Sequence, residues 1–281
     1  MPEHSHIDGV RKMEDFSETF DLSLPRVRSA VVIGHPGHEL LVHGWLEATR
    51  PLVFVFTDGS GRSHQSRLAS TTKILNQTGA KRGPIYGRLT DAAAYSAILN
   101  HEFDLFVGLA RELCEALAAE RIEYVAGDAF EGYNPMHDVC RLVINAAVVV
   151  AQRLKGHRVE NLEFSVINQP TVCHEPPHAD GVCRTLDDAA FARKMAAANE
   201  YIELAGEVQA AKERTSVAAL RVECLRPVGP SSGAQTCDQA PSYESYGEKQ
   251  VAAGYYHRAV RYHEHIEPLA EALRCYAESR I

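Results

Sequence analysis

Three histidines placed after two apolar runs form the most chemically loaded pattern in the chain. The segment VVIGHPGHE at 31–39 runs from a strand-like stretch into a turn of Pro36 and Gly37, flanked by His35 and His38. Pro36 restricts His35 to an extended backbone and Gly37 permits a tight turn, so two imidazoles three residues apart can present nitrogens to one point. A third, His137 in GDAFEGYNPMHD, follows another apolar run that ends near Gly127. Three nitrogen ligands with a fourth position kept for water suit a catalytic Zn(2+) site. The same set accepts Fe(2+) or Ni(2+), because the affinity order does not single out zinc. On spacing alone His35 and His38 serve equally as turn and helix-cap residues; recurrence of His at a second strand end favours the metal reading.

Other polar residues fall near these three. Glu39 is one residue beyond a ligand, where it can orient an imidazole, act as a base, or simply favour the first turn of a helix. Asp58 closes an apolar run in FTDG and can contact a reacting water or shape the Asp-Gly turn. Asp128 and Glu131 are further acids close to His137 in sequence. Arg67 opens a helical stretch and can bind an anionic or hydroxyl-rich substrate group; its other reading is a solvated helix residue. His174 and His178, separated by prolines, read as a surface turn, and His257, His263 and His265 as solvated or interface residues of a C-terminal helix. GSGR at 59–62 lacks the Gly-Lys-Ser/Thr ending of a phosphate loop.

These residues need a scaffold that gathers strand ends. Apolar runs at 27–34, 51–59, more weakly 84–88, and 122–128 alternate with helical periodicity at 38–49, 66–80, 103–120 and 138–156. That alternation predicts an α/β, Rossmann-like, doubly wound and mainly parallel sheet with helices on both faces. In such sheets ligands collect outside the carboxyl ends of the strands, where both histidine motifs fall. A further strand is expected at about 160–169, one long amphipathic helix over 187–213, a loop over 227–242, and a helical ending. Residues 1–26 read as an N-terminal arm and 27–281 as a single α/β domain.

The 281 residues are 45% hydrophobic and 23% charged, the balance of an ordinary globular chain. A net charge of −8 argues against nucleic acid and against an anionic membrane surface as partners. No run of 18 apolar residues occurs, and the first twenty residues do not read as an export leader. Seven cysteines without paired spacing predict reduced thiols and a cytoplasmic protein. A small-molecule substrate is the expected partner, with a homo-oligomer left open.

The two histidine motifs resemble those of the PIG-L or LmbE type of zinc-dependent N-acetylglucosaminyl deacetylases. That family carries His-Pro-Asp-Asp-Glu after a strand, then Thr-Asp-Gly, a helix-opening Arg, and later His-Pro-Asp-His. Here the corresponding residues are His35-Pro36-Gly37-His38-Glu39, Thr57-Asp58-Gly59, Arg67 and Asn134-Pro135-Met136-His137. The likeness extends over roughly residues 28–275. It implies that His35, His38 and His137 fall on the metal ligands, with His38 replacing a carboxylate, and that Arg67 binds substrate. It also implies that Gly37 stands where the family has its general-base aspartate, and Asn134 where it has a histidine that stabilises the transition state. Ser70 stands where the family commonly has a glutamate.

Loss of a general base typically costs about 10²–10⁴ in rate, so the family's mechanism does not transfer unchanged. Replacing a carboxylate ligand by a neutral imidazole leaves more positive charge on a bound ion, which acidifies its water and can offset the missing base. The sequence therefore points to a metal-dependent, amidase- or deacetylase-like hydrolase of a small polar or sugar-like N-acyl compound, with Glu39 and Asp58 as candidate catalytic acids and Arg67 and Asn134 as candidate substrate contacts. Two alternatives stand beside it: an altered member that binds metal or ligand without hydrolysis, and a non-hydrolytic metalloenzyme.

Overall fold

The computed structural model describes residues 28–156, 158–167, 181–229 and 240–279. The expected arm at 1–26, together with His174 and His178, lies outside them.

Among the described residues seven strands form one sheet: β1 Ser29–Ile33, β2 Leu52–Thr57, β3 Lys81–Leu89, β4 Tyr124–Asp128, β5 Glu160–Phe164, β6 Val182–Thr185 and β7 Val222–Pro227, in the spatial order β3-β2-β1-β4-β5-β7-β6. The first five are parallel, while β7 runs antiparallel to β5 and to β6. Strand order reverses between β1 and β4, so the chain diverges beyond their carboxyl ends and leaves a crevice there.

Alternation along the central strands explains why both faces are covered. Ala30 and Val32 of β1, with Phe54 and Phe56 of β2, face a core shared with helices α3 (Asp91–Leu99), α4 (Phe103–Ala119), α5 (Pro135–Lys155) and α10 (Glu267–Ser279). Their neighbours Val31, Ile33, Val53 and Val55 face the opposite core, lined by α1 (His43–Thr49), α2 (Leu68–Thr78) and α6 (Asp188–Glu200). Every named strand residue is fully buried, the signature of parallel strands wound on both sides. The mainly parallel α/β fold expected from the sequence is the fold observed.

Beyond helix α3 and strands β6 and β7, which the sequence reading did not contain, and β5, which ends at Phe164, the structure differs from it in three places that bear on the site. Helix 38–49 starts as a 3₁₀ turn, His38–Val42, and becomes α-helical only at His43. The helix expected over 187–213 is interrupted: α6 ends at Glu200, a 3₁₀ turn spans Ile202–Leu204, and α7 covers Ala205–Arg214. The break sits at Tyr201, whose side chain is drawn into the molecule to bond Thr71 and the Arg67 carbonyl. Lastly, Cys183 and Cys224 are directly opposite in the β6–β7 ladder, with Cα atoms 4.1 Å apart, and are disulfide-bonded. The expectation of reduced thiols is corrected for this pair, whereas Cys114, Cys140 and Cys275 are not disulfide-bonded. Strand pairing between residues 41 apart in sequence brought them together, which their spacing could not announce. A short helix α8 (Val217–Leu220) leads into β7, and α9 (Ser242–Ala252) precedes a π-turn, Tyr262–Ile266, that enters α10. No helix among the described residues is long and apolar enough to cross a membrane.

Candidate metal centre

The turn after β1 is set by Gly37, whose φ of 110° lies in the left-handed region that a side chain rarely adopts. This turn folds His38 back towards His35. From the other motif, Asn134 accepts the Met136 N–H at 2.8 Å and starts α5, with Pro135 in the first turn where its missing N–H costs nothing. That cap fixes where His137 emerges.

The three imidazoles meet at the carboxyl ends of β1 and β4. Ring centroids lie 5.5 Å apart for His35 and His38, 5.1 Å for His35 and His137, and 4.5 Å for His38 and His137, each pair in an edge-on arrangement. Two of the rings are held from behind by carboxylates. His35 Nδ1 lies 3.0 Å from Asp91 Oδ1 and 2.9 Å from Thr57 Oγ1. Because the Thr57 hydroxyl already donates to the Gly34 carbonyl, His35 Nδ1 is the donor in this pair, which leaves the lone pair on Nε2. His38 Nδ1 donates in the same way to Asp128 Oδ1 at 2.9 Å, and the other Asp128 oxygen accepts the Gly34 N–H at 2.8 Å. One buried carboxylate therefore ties the end of β4 to both sides of the β1 turn.

Two nitrogens of this cluster, His35 Nε2 and His137 Nδ1, are buried without a hydrogen-bond partner. A buried polar atom without a partner costs about 1–3 kcal/mol, so two in one cluster mark a place built for something else. An imidazole bound at about 2.0–2.1 Å places its ring centre about 3.2 Å from an ion, and two such rings at a tetrahedral angle lie about 5.2 Å apart. The observed separations bracket that value. Among the described residues, however, no three His, Cys, Asp or Glu side chains already close around a common point as ligands. The structure holds the three rings close together, two of them with their carboxylate supports.

Electrostatics divides the three. Burial drives the His137 pKa well below 6.5, with the two neighbouring histidines adding to the effect, so this ring is neutral at pH 7. Burial also opposes charge on His38, but the charge and hydrogen bond of Asp128, backed by Glu39 and Glu131, outweigh it and raise its pKa. Burial likewise works against the Asp91 carboxylate, yet the hydrogen bond and charge of His35 and the bond from the Gly61 N–H hold it far below the usual range.

The remaining sequence candidates occupy definite places. Glu39 is fully buried; one oxygen accepts the Gly37 N–H and the other the Thr71 hydroxyl, both at 2.7 Å, so its carboxylate braces the turn. Asp58 Oδ1 accepts the Ser60 N–H at 3.0 Å and its hydroxyl at 2.6 Å, shaping the turn after β2. Arg67 lies on the rim: its aliphatic stem borders Gly59 beside Pro36, and its guanidinium stands 3.6 Å from Glu207. Glu131 accepts from the Ser165 hydroxyl and the Val166 N–H, bracing the loop before α5. Tyr133, half exposed, places its ring 6.2 Å from that of His137.

Sequence reasoning missed Asp91 and Leu204. Asp91 sits just after β3, a third strand end of the same edge, and that position was its only signal. Leu204 gave none: a Cβ on Gly37 would lie 2.3 Å from its Cδ1, so an apolar side chain from a distant segment fills the space beside the turn. The histidines 257, 263 and 265 part company, since His263 is exposed while His265 is buried in the π-turn against His101.

No family model and no curated protein matches the chain. Among solved structures it is similar to a teicoplanin deacetylase in a zinc-inhibited form, at 13% identity and a TM-score of 0.47, over 72% of this chain and 97% of that one. A deacetylase of the A40926 pseudoaglycone is similar at 17% identity and a TM-score of 0.48, with the same coverage. A teicoplanin deacetylase in complex with teicoplanin is similar at 13% identity and 0.47, over 72% of this chain and 98% of that one.

Proposed function

We propose that the chain is a metal-dependent hydrolase of an amide bond in a small polar or sugar-like N-acyl compound, with Zn(2+) held by His35, His38 and His137. The observation that carries this reading is the set of three rings at 4.5–5.5 Å separations, two of them backed by carboxylates through Nδ1. Carboxylate support fixes tautomer and ring direction, as it does around metal-bound histidines generally. When bound, the ion would supply an acidified water and polarise the substrate carbonyl. Fe(2+) or Ni(2+) fits the same nitrogens, and iron would redirect the reading to a non-hydrolytic metalloenzyme.

The chain's own residues have separable tasks. Asp91 and Asp128 keep the protons of His35 and His38 on Nδ1. Glu39 and Thr71 lock the Gly37 turn, a positioning role in place of the base role its sequence position suggested. Asp58 shapes the loop leading to Arg67, whose guanidinium, 3.6 Å from Glu207, can bind a hydroxyl or anionic group of the substrate. Asn134 directs His137 through the helix cap. We place this reaction in the cytoplasm.

A second reading, metal or ligand binding without hydrolysis, is favoured by one observation: Leu204 occupies the space beside Gly37 that a carboxylate would need. A single experiment separates the two. Zinc-loaded protein is incubated with N-acetylglucosamine and other small N-acetylated amines, and the release of free amine is followed. Chelator-sensitive turnover that is restored by zinc and lost in His38→Ala supports hydrolysis. Stoichiometric zinc without turnover supports the binding reading.

A further inference from the structure

We infer that the Cys183–Cys224 disulfide is a reversible redox lock on a strap, residues 184–223, that covers one side of the histidine cluster; its regulatory meaning rests on the proposed metal site, its physical test does not. The strap leaves the sheet at β6, returns at β7, and carries α6, α7 and α8 between them. Its middle lies on the cluster's supports. Leu204 packs on Gly37, the Tyr201 hydroxyl meets Thr71 and the Arg67 carbonyl, Glu203 accepts the Ser70 hydroxyl at 2.7 Å, and Glu207 stands by Arg67.

Apolar burial of the strap is confined largely to Leu186, Tyr201, Leu204 and Ala219, and its two longer helices add little. α7 buries no side chain, and α6 buries only Ala190 and Ala197. Polar contacts add to these anchors: Arg193 pairs with Glu47, and Glu223, itself paired with Lys194 inside the strap, accepts the Gly44 and Trp45 N–H groups at the start of α1. A segment with few buried apolar contacts opens at low free energy, and a cross-link at its two ends limits what opening gains in entropy. The disulfide is that cross-link. Glu223 and Leu225 point inward, and Cys224 lies on the opposite face of β7, bonded to exposed Cys183. A soluble dithiol can therefore reach the bond. Its thiolate attacks one sulfur and its second thiol resolves the mixed disulfide, so two electrons pass to Cys183 and Cys224, which become thiols, and the dithiol is oxidised to a cyclic disulfide. Reduction leaves the strap root held by the β6–β7 ladder alone and loosens Leu204, Glu203 and Glu207 over the Gly37 turn and Arg67.

The test is hydrogen exchange of the full chain before and after treatment with dithiothreitol, with a Cys183→Ser/Cys224→Ser variant beside it. Mass mapping first establishes the 183–224 cross-link in the untreated protein. On reduction, peptides spanning 188–214 should exchange about tenfold faster or more, and the 35–43 turn should follow, while β2 and β4 stay unchanged. The double variant should match the reduced protein and ignore dithiothreitol. Equal exchange in both redox states, a response persisting in the variant, or absence of the cross-link in air-exposed protein overturns the proposal. Repeating the comparison in His38→Ala separates it from the metal reading: the redox difference survives there whether or not zinc binds.

Discussion

At the scale of single residues, the site is built from pairs in which one group fixes another. Asp91 and Asp128 each hold an imidazole by Nδ1, and removing such a partner typically costs 10–100-fold in metal affinity. Asp91→Asn and Asp128→Asn should therefore each weaken zinc binding by about one to two orders of magnitude in a competition titration, with the fold intact by circular dichroism. Unchanged affinity would remove these carboxylates from the site. Gly37 and Leu204 form a steric pair. Gly37→Asp would place a Cβ 2.3 Å from Leu204 Cδ1 at a φ of 110°, and the combined overpacking and strain should cost about 2–4 kcal/mol. Leu204→Ala removes the clash but not the strain. The double variant should accordingly be at least about 1 kcal/mol more stable than the sum of the two single effects in denaturant unfolding. Strict additivity would show that Leu204 does not fill that space.

At the scale of elements, the histidine motifs were legible because strand, turn and helix start are encoded locally. Consecutive buried residues Ala30 to Ile33 announce a two-sided strand, and Pro36-Gly37 announces the turn. The strap elements were not, since their shape is decided by distant partners. Nothing local to Tyr201 breaks a helix; Thr71 and the Arg67 carbonyl do so by drawing its hydroxyl inward. β6 and β7 alternate half-buried with exposed or buried residues over only a few positions, too short a pattern to read before their pairing is known. The π-turn before α10 illustrates the same point. His265 there is 2% exposed, and burial lowers its pKa below 6.5 despite opposing effects of Glu264 and its bond to Arg261, with His101 and Arg258 lowering it further. A histidine whose folded pKa is lowered binds fewer protons folded than unfolded. Its contribution is complete above pH 6.5 and is lost as the pH falls from there towards the folded value. His265→Gln should thus shallow the decline of thermal stability below pH 6.5, with His43 and His137, also lowered by burial, sustaining what remains. An identical slope in the variant would mean that His265 is protonated in the folded protein.

At the scale of the whole molecule, the sheet gathers three strand ends onto one edge and the strap, closed by cysteines 41 positions apart, adds a side wall from otherwise thinly buried chain. Loop closure over that separation is worth about 4 kcal/mol at most, and engineered cross-links often give less. Cys183→Ser/Cys224→Ser should accordingly lower the unfolding midpoint by roughly 5–10 °C for a chain of this size, read by calorimetry under non-reducing conditions. No shift would mean that the strap is held by its non-covalent contacts alone. The fold class followed from alternating periodicity, yet the third strand end that supplies Asp91 and the wall that supplies Leu204 came from tertiary assembly. The central claim, that His35, His38 and His137 together hold one divalent ion, is tested most directly by elemental analysis after zinc loading and desalting. The wild type should retain about one equivalent of zinc, and a folded His35→Ala/His137→Ala variant essentially none. Full occupancy in that variant, or no retained metal in the wild type, would contradict it.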